Sequence, residues 1–194
     1  MRRVFSGVSN REIEKMVSGF YKHFCDLIVE GIKGFTISER ELDQRYRFIN
    51  PEILYDYFDQ GRDVIIAAGH YCNWEWATMQ SSRVLKHTCV GIYTPLSNAY
   101  FEDKMKASRS KYGLVLVPKD QVKAYFKEKH TTPQLYFFLV DQSPSNPERA
   151  FWAAFLGTQT PIQYGVEKYS KEYNLPVFFL TVMRQKRGFY HLTM

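Results

Sequence analysis

The chain reads as an α/β protein, with a mainly parallel central sheet flanked by helices and an amphipathic helical segment ahead of it. Three observations predict this. Five short runs, "DVIIAAG", "CVGIYTP", "LVLVP", "QLYFFLVDQ" and "PVFFLTVMR", are mostly uninterrupted apolar stretches bounded by Gly, Pro or Asp, as strands buried on both faces should be. Helical patterns alternate with them, at residues 73–85, 98–112, 120–129 and 161–174, and such alternation is the signature of α/β architecture. Upstream of the first run the apolar period is helical instead.

From residue 9 to 35, Ile13, Met16, Val17, Phe20, Phe24, Leu27, Ile28 and Ile32 recur at helical spacing, with Glu14, Lys15, Lys22, Asp26, Glu30 and Lys33 opposite them. One long helix is expected, eased at Gly19, its apolar side packed on the domain rather than lying on a membrane. "RYRFINPEILYDYFDQG" follows, with Pro at a helix start and Gly at its end. After the alternating core, "GFYHLTM" forms a hairpin with "FFLTVMR" through "QKRG". That arm stops at Met194 mid-pattern, and a sheet edge ending so predicts a chain truncated there. "DQSPSNPERAFWAAFLGTQT" is the longest irregular stretch and too long for an idle connection. The expected organisation is a single domain over 1–194, helical in 1–60 and α/β in 61–194.

The chain carries 26 basic and 20 acidic residues, net +6. This favours anionic partners, but no arginine-rich arm or nucleic-acid motif is present, so nucleic acid is not expected. Aromatic residues make up 16%, which suits a thick core or a surface that meets lipid. Cys25, Cys72 and Cys89 are widely spaced with no CxxC, which argues against a zinc site or a disulfide framework. No run approaches the ~20 apolar residues that span a bilayer.

The chemistry concentrates in "AAGHYCNWEW", residues 67–76. Ligands of α/β sheets meet the carboxyl ends of the strands, where "DVIIAAG" delivers His70. Asn73 can cap the next helix, with Glu75 in its first turn. On a continuous helix, His70 and Glu75 lie about 140° apart, so a zinc pair on one helical face is ruled out. From the loop before the cap, the His70 ring can fold back, give its Nδ1 proton to Glu75 and keep Nε2 as a base. A structural His–Glu pair is the alternative, and Cys72 as a thiol nucleophile is a rival. His23, His87, His130 and His191 read as ordinary.

The string "GHYCNWEW" resembles the first block of the lysophospholipid acyltransferase superfamily, a His and an acid with four residues between them. Its Asn-Trp-Glu ending is similar to the lipid A biosynthesis (lauroyl/myristoyl) acyltransferase branch. "YTPLSNAYFEDKMKASRSKYGLVLVPK" is similar to that branch's second block, "FFLVDQSPSNPERAFWAAFLGTQTP" to its third, and "YNLPVFFLTVMRQKRGFYHLTM" to the strand pair beyond. The resemblance covers residue 65 to the end. Family members usually begin with a hydrophobic anchoring helix and continue further. The superfamily's Glu-Gly-Thr-Arg block is replaced by "VDQSP", which favours the lipid A-like branch over phosphatidic acid synthesis.

The resemblance implies a glycerol-3-phosphate acyltransferase-like fold. It also implies an enzyme that moves a fatty acyl chain from a thioester of acyl carrier protein or CoA to a hydroxyl of a phosphorylated glycolipid. No cofactor and no metal are expected. Its catalytic pair maps to His70 and Glu75, its second-block Arg to Arg109, and its third-block acid to Asp141 beside Gln142. Residue by residue, Arg109 is either part of a solvated basic face with Lys104, Lys106 and Lys111 or a phosphate fork, and the resemblance favours the fork. Lys119 is a second candidate for that task. Asp141 is a turn cap or a site residue, and Asn73 starts a helix whose N–H groups could serve an oxyanion. The expected location is the cytoplasmic face of the bacterial inner membrane, peripheral or anchored through a segment absent from this chain. A hydrolase on the same scaffold and a non-catalytic lipid-binding module are the competing functions.

Overall fold

A computed structural model describes residues 4–144 and 146–194, with the backbone alone for Arg149. The order begins with α1 (Asn10–Gly34), α2 (Glu39–Arg45), β1 (Tyr46–Phe48), a 3₁₀ turn at Pro51–Leu54 and α3 (Tyr55–Asp59). The core follows as β2 (Val64–Ala68), α4 (Trp74–Val84), β3 (Thr88–Tyr93), α5 (Ala99–Ser110), β4 (Val115–Pro118), α6 (Val122–Tyr125) and β5 (Gln134–Leu139). Then come β6 (Phe151–Phe155), β7 (Thr158–Ile162), α7 (Gly165–Tyr173), β8 (Val177–Phe179), β9 (Thr181–Lys186) and β10 (Phe189–Thr193).

The five apolar runs supply a five-stranded sheet, ordered β4-β3-β5-β2-β8 and parallel throughout. Both faces are covered, as the runs require. Val64, Ile66 and Ala68 of β2 join a core with Trp76 and Met79 of α4, while Ile65 joins Val122, Phe126 and Tyr136 on the other side. After β8 the chain passes through the single buried residue Leu180 into a second sheet, β1-β10-β9. The expected hairpin is β9–β10, with Gly188 at φ +74° in its turn, a conformation only glycine adopts without steric cost. β10 is the middle strand of that sheet, not an edge.

Five expectations change. Residues 1–60, expected to be helical, also contain β1, which pairs in parallel with β10, and the helix expected over 161–174 begins at Gly165, after β7. The helix expected over 120–129 is shortened to Val122–Tyr125. The long loop after Asp141 contains a hairpin, β6–β7, turning through Leu156 and Gly157 at φ +50° and +73°, the backbone twist that two-residue hairpins favour. The largest change concerns α1. It runs unbroken through Gly19, started by a reciprocal cap between Ser9 and Glu12, but of the apolar residues expected to face inward only Ile13 is buried. Asp26 and Glu30 are buried, whereas Phe20, Phe24, Ile28 and Ile32 face solvent at 48–67% exposure. Asp26 meets Arg184 and Arg187, both at 2.7 Å, and Glu30 meets Tyr190 and Asn73. Polar partners on later elements hold the helix, and its apolar stripe is left outward.

Candidate active site

The register between β2 and β5 builds the site. Ala68 lies opposite Leu139, and the Val140 N–H still donates to the Ala68 carbonyl at 2.9 Å. Two residues further on, His70 and Asp141 emerge side by side at the carboxyl ends of neighbouring parallel strands. His70 Nδ1 lies 2.7 Å from Asp141 Oδ1, and the His70 backbone N–H donates to Oδ2 at 2.8 Å. Gly69 makes room for this: a Cβ there would come within 3.2 Å of Asp141 Oδ2.

Burial opposes ionisation of Asp141, but the two His70 contacts outweigh it and hold the carboxyl below its ordinary range. The acid is therefore a carboxylate near neutral pH, an acceptor only. It fixes the imidazole with its proton on Nδ1, leaving Nε2 as the basic nitrogen. This corrects the expected geometry, in which Glu75 took the Nδ1 proton.

Glu75 sits where the sequence puts it, in the first turn of α4 behind the cap Asn73, but it faces Arg109. Oε2 accepts from Arg109 Nε at 2.9 Å and Oε1 from Nη2 at 2.6 Å, a bidentate pair with both side chains 19% exposed. Burial works against the Arg109 charge, yet the Glu75 contacts more than compensate and raise its pKa. The guanidinium fork expected to hold phosphate is thus already filled by a carboxylate. Trp74, to which the sequence assigns no role of its own, lies between the two pairs. Its ring meets His70 edge-on at 5.0 Å and lies under Arg109 at 5.3 Å.

His70, Trp74, Arg109, Lys119 and Gln142 line one cavity of about 660 Å³ at this end of the sheet, with Ile92, Leu96, Phe138 and Ile162 among its apolar walls. A smaller hollow of about 270 Å³ beneath β6–β7 shares Ile162, Gln163 and Tyr164 with it. Five residues singled out in the sequence therefore gather here: His70, Asp141, Arg109, Lys119 and Gln142, with Glu75 joined through Arg109. Asn73, expected at the substrate, is instead buried at 4% exposure. Its Oδ1 accepts the Trp76 N–H at 3.0 Å and its Nδ2 donates to Glu30 at 2.9 Å, so both ends of its amide are committed to structure.

A histidine paired with a carboxylate lines a partly apolar cavity together with the cationic side chains of Arg109 and Lys119. The sequence matches the family of bacterial lipid A biosynthesis acyltransferases over residues 1–194. The chain belongs to that family. This acyltransferase is accordingly an enzyme that transfers acyl groups in lipid A biosynthesis. No curated protein matches it.

Neither Cys72 nor Cys89 offers a reactive thiol beside the sheet. Cys72 is buried, and burial pushes its thiol up; Cys89 is pushed up to about 12 by burial, so both stay protonated and poorly nucleophilic.

Proposed function

We propose that the enzyme moves a fatty acyl chain from an acyl carrier protein or CoA thioester to a hydroxyl of a phosphorylated lipid A precursor, with His70 as general base. The observation that carries this is the 2.7 Å contact of His70 Nδ1 with Asp141 at the mouth of the cavity. His70 Nε2 takes the proton of the acceptor hydroxyl as its oxygen attacks the thioester carbonyl. The Asp141 carboxylate steadies the imidazolium that results. The oxyanion of the tetrahedral intermediate is held by the first-turn N–H groups of α4 that Asn73 does not cap, those of Trp74 and Glu75, at the start of an 11-residue helix beside His70. The C–S bond then breaks, and the imidazolium returns its proton to the departing thiolate. A thiol with an ordinary pKa near ~8.5 leaves readily, so one general base suffices.

Glu75 serves this chemistry by holding Arg109 over the Trp74 ring, and Lys119 is the cation offered to a lipid phosphate. The acyl chain lies against Ile92, Leu96, Phe138 and Ile162. The membrane side is the outward face of α1. Two of that helix's acids are buried and Lys33 is paired with Glu41, leaving Arg11, Lys15 and Lys22 against Glu12 and Glu14 beside Phe20, Phe24, Ile28 and Ile32. An amphipathic helix of this kind lies in the headgroup plane of an anionic bilayer, here assigned to the cytoplasmic face of the inner membrane. Among the described residues no helix is long and apolar enough to cross it.

The test is incubation with acyl carrier protein and CoA thioesters against a lipid A precursor, followed by mass spectrometry. An acylated glycolipid that disappears with His70→Ala is expected. Free fatty acid released equally without acceptor would make the enzyme a hydrolase, and undiminished transfer by the variant would remove His70 from the mechanism.

A further inference from the structure

We infer that Glu30, on the buried side of α1, is a positioning residue for the His70 loop and acts through Asn73. Glu30 is 7% exposed and forms no ion pair among the described residues. Two neutral donors serve its carboxylate: the Tyr190 hydroxyl at 2.9 Å from both oxygens, and Asn73 Nδ2 at 2.9 Å from Oε2. A buried carboxylate without a cation is costly, so its presence here calls for a task that an apolar side chain could not perform.

The task follows from hydrogen-bond polarity. A carboxylate only accepts, whereas an amide carries a donor end and an acceptor end. With Glu30 on one side, Asn73 must turn its NH₂ toward α1, which turns Oδ1 toward α4 to cap the Trp76 N–H at 3.0 Å. The Asn73 backbone is held as well, its carbonyl accepting from the Tyr46 hydroxyl at 2.6 Å. Asn73 is thus fixed by α1, β1 and α4 together, and β10 fixes Glu30 through Tyr190.

The loop these contacts anchor is short and strained. Between Ala68, the last residue of β2, and Asn73 lie only Gly69, His70, Tyr71 and Cys72. Cys72 holds a left-handed φ of +54°, a conformation that is unfavourable for a non-glycine residue. A strained connection keeps its shape only while both ends are held. Asp141 holds the His70 end; Asn73, oriented by Glu30, holds the other. Releasing Asn73 lets Cys72 relax and carries the imidazole away from its line to the cavity. Misplacement by about 1 Å costs on the order of a hundredfold in rate. Neither Glu30 nor Tyr190 touches the cavity, so the effect falls on turnover rather than on substrate affinity.

This inference rests on the proposed role of His70, and the experiment separates the two. Glu30→Gln, Asn73→Asp and the double variant E30Q/N73D are compared with wild type and with His70→Ala, measuring kcat, KM for both substrates and thermal melting. In E30Q the new amide can present an NH₂ to Asn73 and unfix its orientation, so kcat falls about 10- to 100-fold with KM little changed. N73D sets two buried carboxylates against each other and fares worse. The double variant restores the pattern with polarity exchanged. The amide introduced at position 30 donates to the carboxylate introduced at position 73, whose other oxygen still caps α4. The Tyr190 hydroxyl then donates to the oxygen of the new amide, so most of the lost kcat returns.

Unchanged kcat in folded E30Q overturns the inference. So does a double variant that folds but recovers none of the loss. Should E30Q alone fail to fold, the double variant decides by the same criterion: kcat near wild type supports the inference, and a folded but slow enzyme overturns it. Activity retained in His70→Ala would instead strike at the proposed base and leave any effect of Glu30 to be explained otherwise.

Discussion

Replacing Asp141 by Asn tests the tautomer argument with little change in shape. The carboxylate serves two donors at once, the His70 ring at 2.7 Å and the His70 backbone N–H at 2.8 Å. An amide has one oxygen for the two. If that oxygen keeps the backbone N–H, the NH₂ faces Nδ1, the ring must accept there, and its proton moves to Nε2, blocking the base. If it keeps the ring instead, a backbone donor faces another donor and loses its partner, at a cost of about 1–3 kcal/mol. At about 1.4 kcal/mol per tenfold, the blocked tautomer dominates by roughly 5- to 150-fold. Loss of the negative charge that steadies the imidazolium adds to this. A fall in kcat of about 10²- to 10⁴-fold follows, toward the lower end because the Asp141 side chain is 44% exposed and water takes up part of its role. The assay is acyl transfer from a thioester to a lipid A precursor, with a melting curve to show that the fold survives. A folded D141N enzyme within about threefold of wild-type kcat would refute the reasoning.

Three further outcomes follow. Glu75→Gln and Arg109→Ala each slow transfer, and the pair is strongly non-additive because the two groups form one bidentate unit; a double-mutant cycle that is additive for Glu75 and Arg109 but coupled for Glu75 and His70 would return Glu75 to the His70 ring. Phe24→Asp with Ile28→Asp weakens binding to anionic vesicles by at least about tenfold, since each such side chain contributes roughly 1.5–3 kcal/mol when buried; sedimentation with vesicles unchanged from wild type would mean that α1 does not meet lipid. At pH 8, iodoacetamide labels the exposed Cys25 while Cys72 and Cys89, both raised by burial, stay unmodified in peptide mapping, and Cys72→Ala retains transfer; inactivation as deep as that of His70→Ala would make Cys72 the nucleophile.

The sheet was legible because strands buried on both faces must be apolar throughout, and "DVIIAAG" and "QLYFFLVDQ" have no other use for such composition. His70 and Asp141 were each legible as strand-end residues. Their contact was not, because it depends on Ala68 standing opposite Leu139, a register between strands 71 residues apart. Local spacing offered Glu75 instead, and the competing partner, Arg109, lay on another helix. The orientation of α1 was hidden for a related reason. Periodicity defines two faces without saying which turns inward, and here Arg184, Arg187 and Tyr190 decide, about 160 positions away. The hairpin in the long loop had one local signal, the Leu156-Gly157 turn between "FWAAF" and "TQTPI". Trp74 had none beyond its place next to the cap.

Which carboxylate holds the imidazole is read directly by nitrogen NMR of the His70 ring. With the histidines labelled with ¹⁵N and His70 assigned by its loss in His70→Ala, the enzyme should show the Nδ1-protonated neutral tautomer. That Nδ1–H signal should vanish in Asp141→Asn and persist in Glu75→Gln. A ring protonated on Nε2, or a signal lost with Glu75 and kept without Asp141, would contradict it.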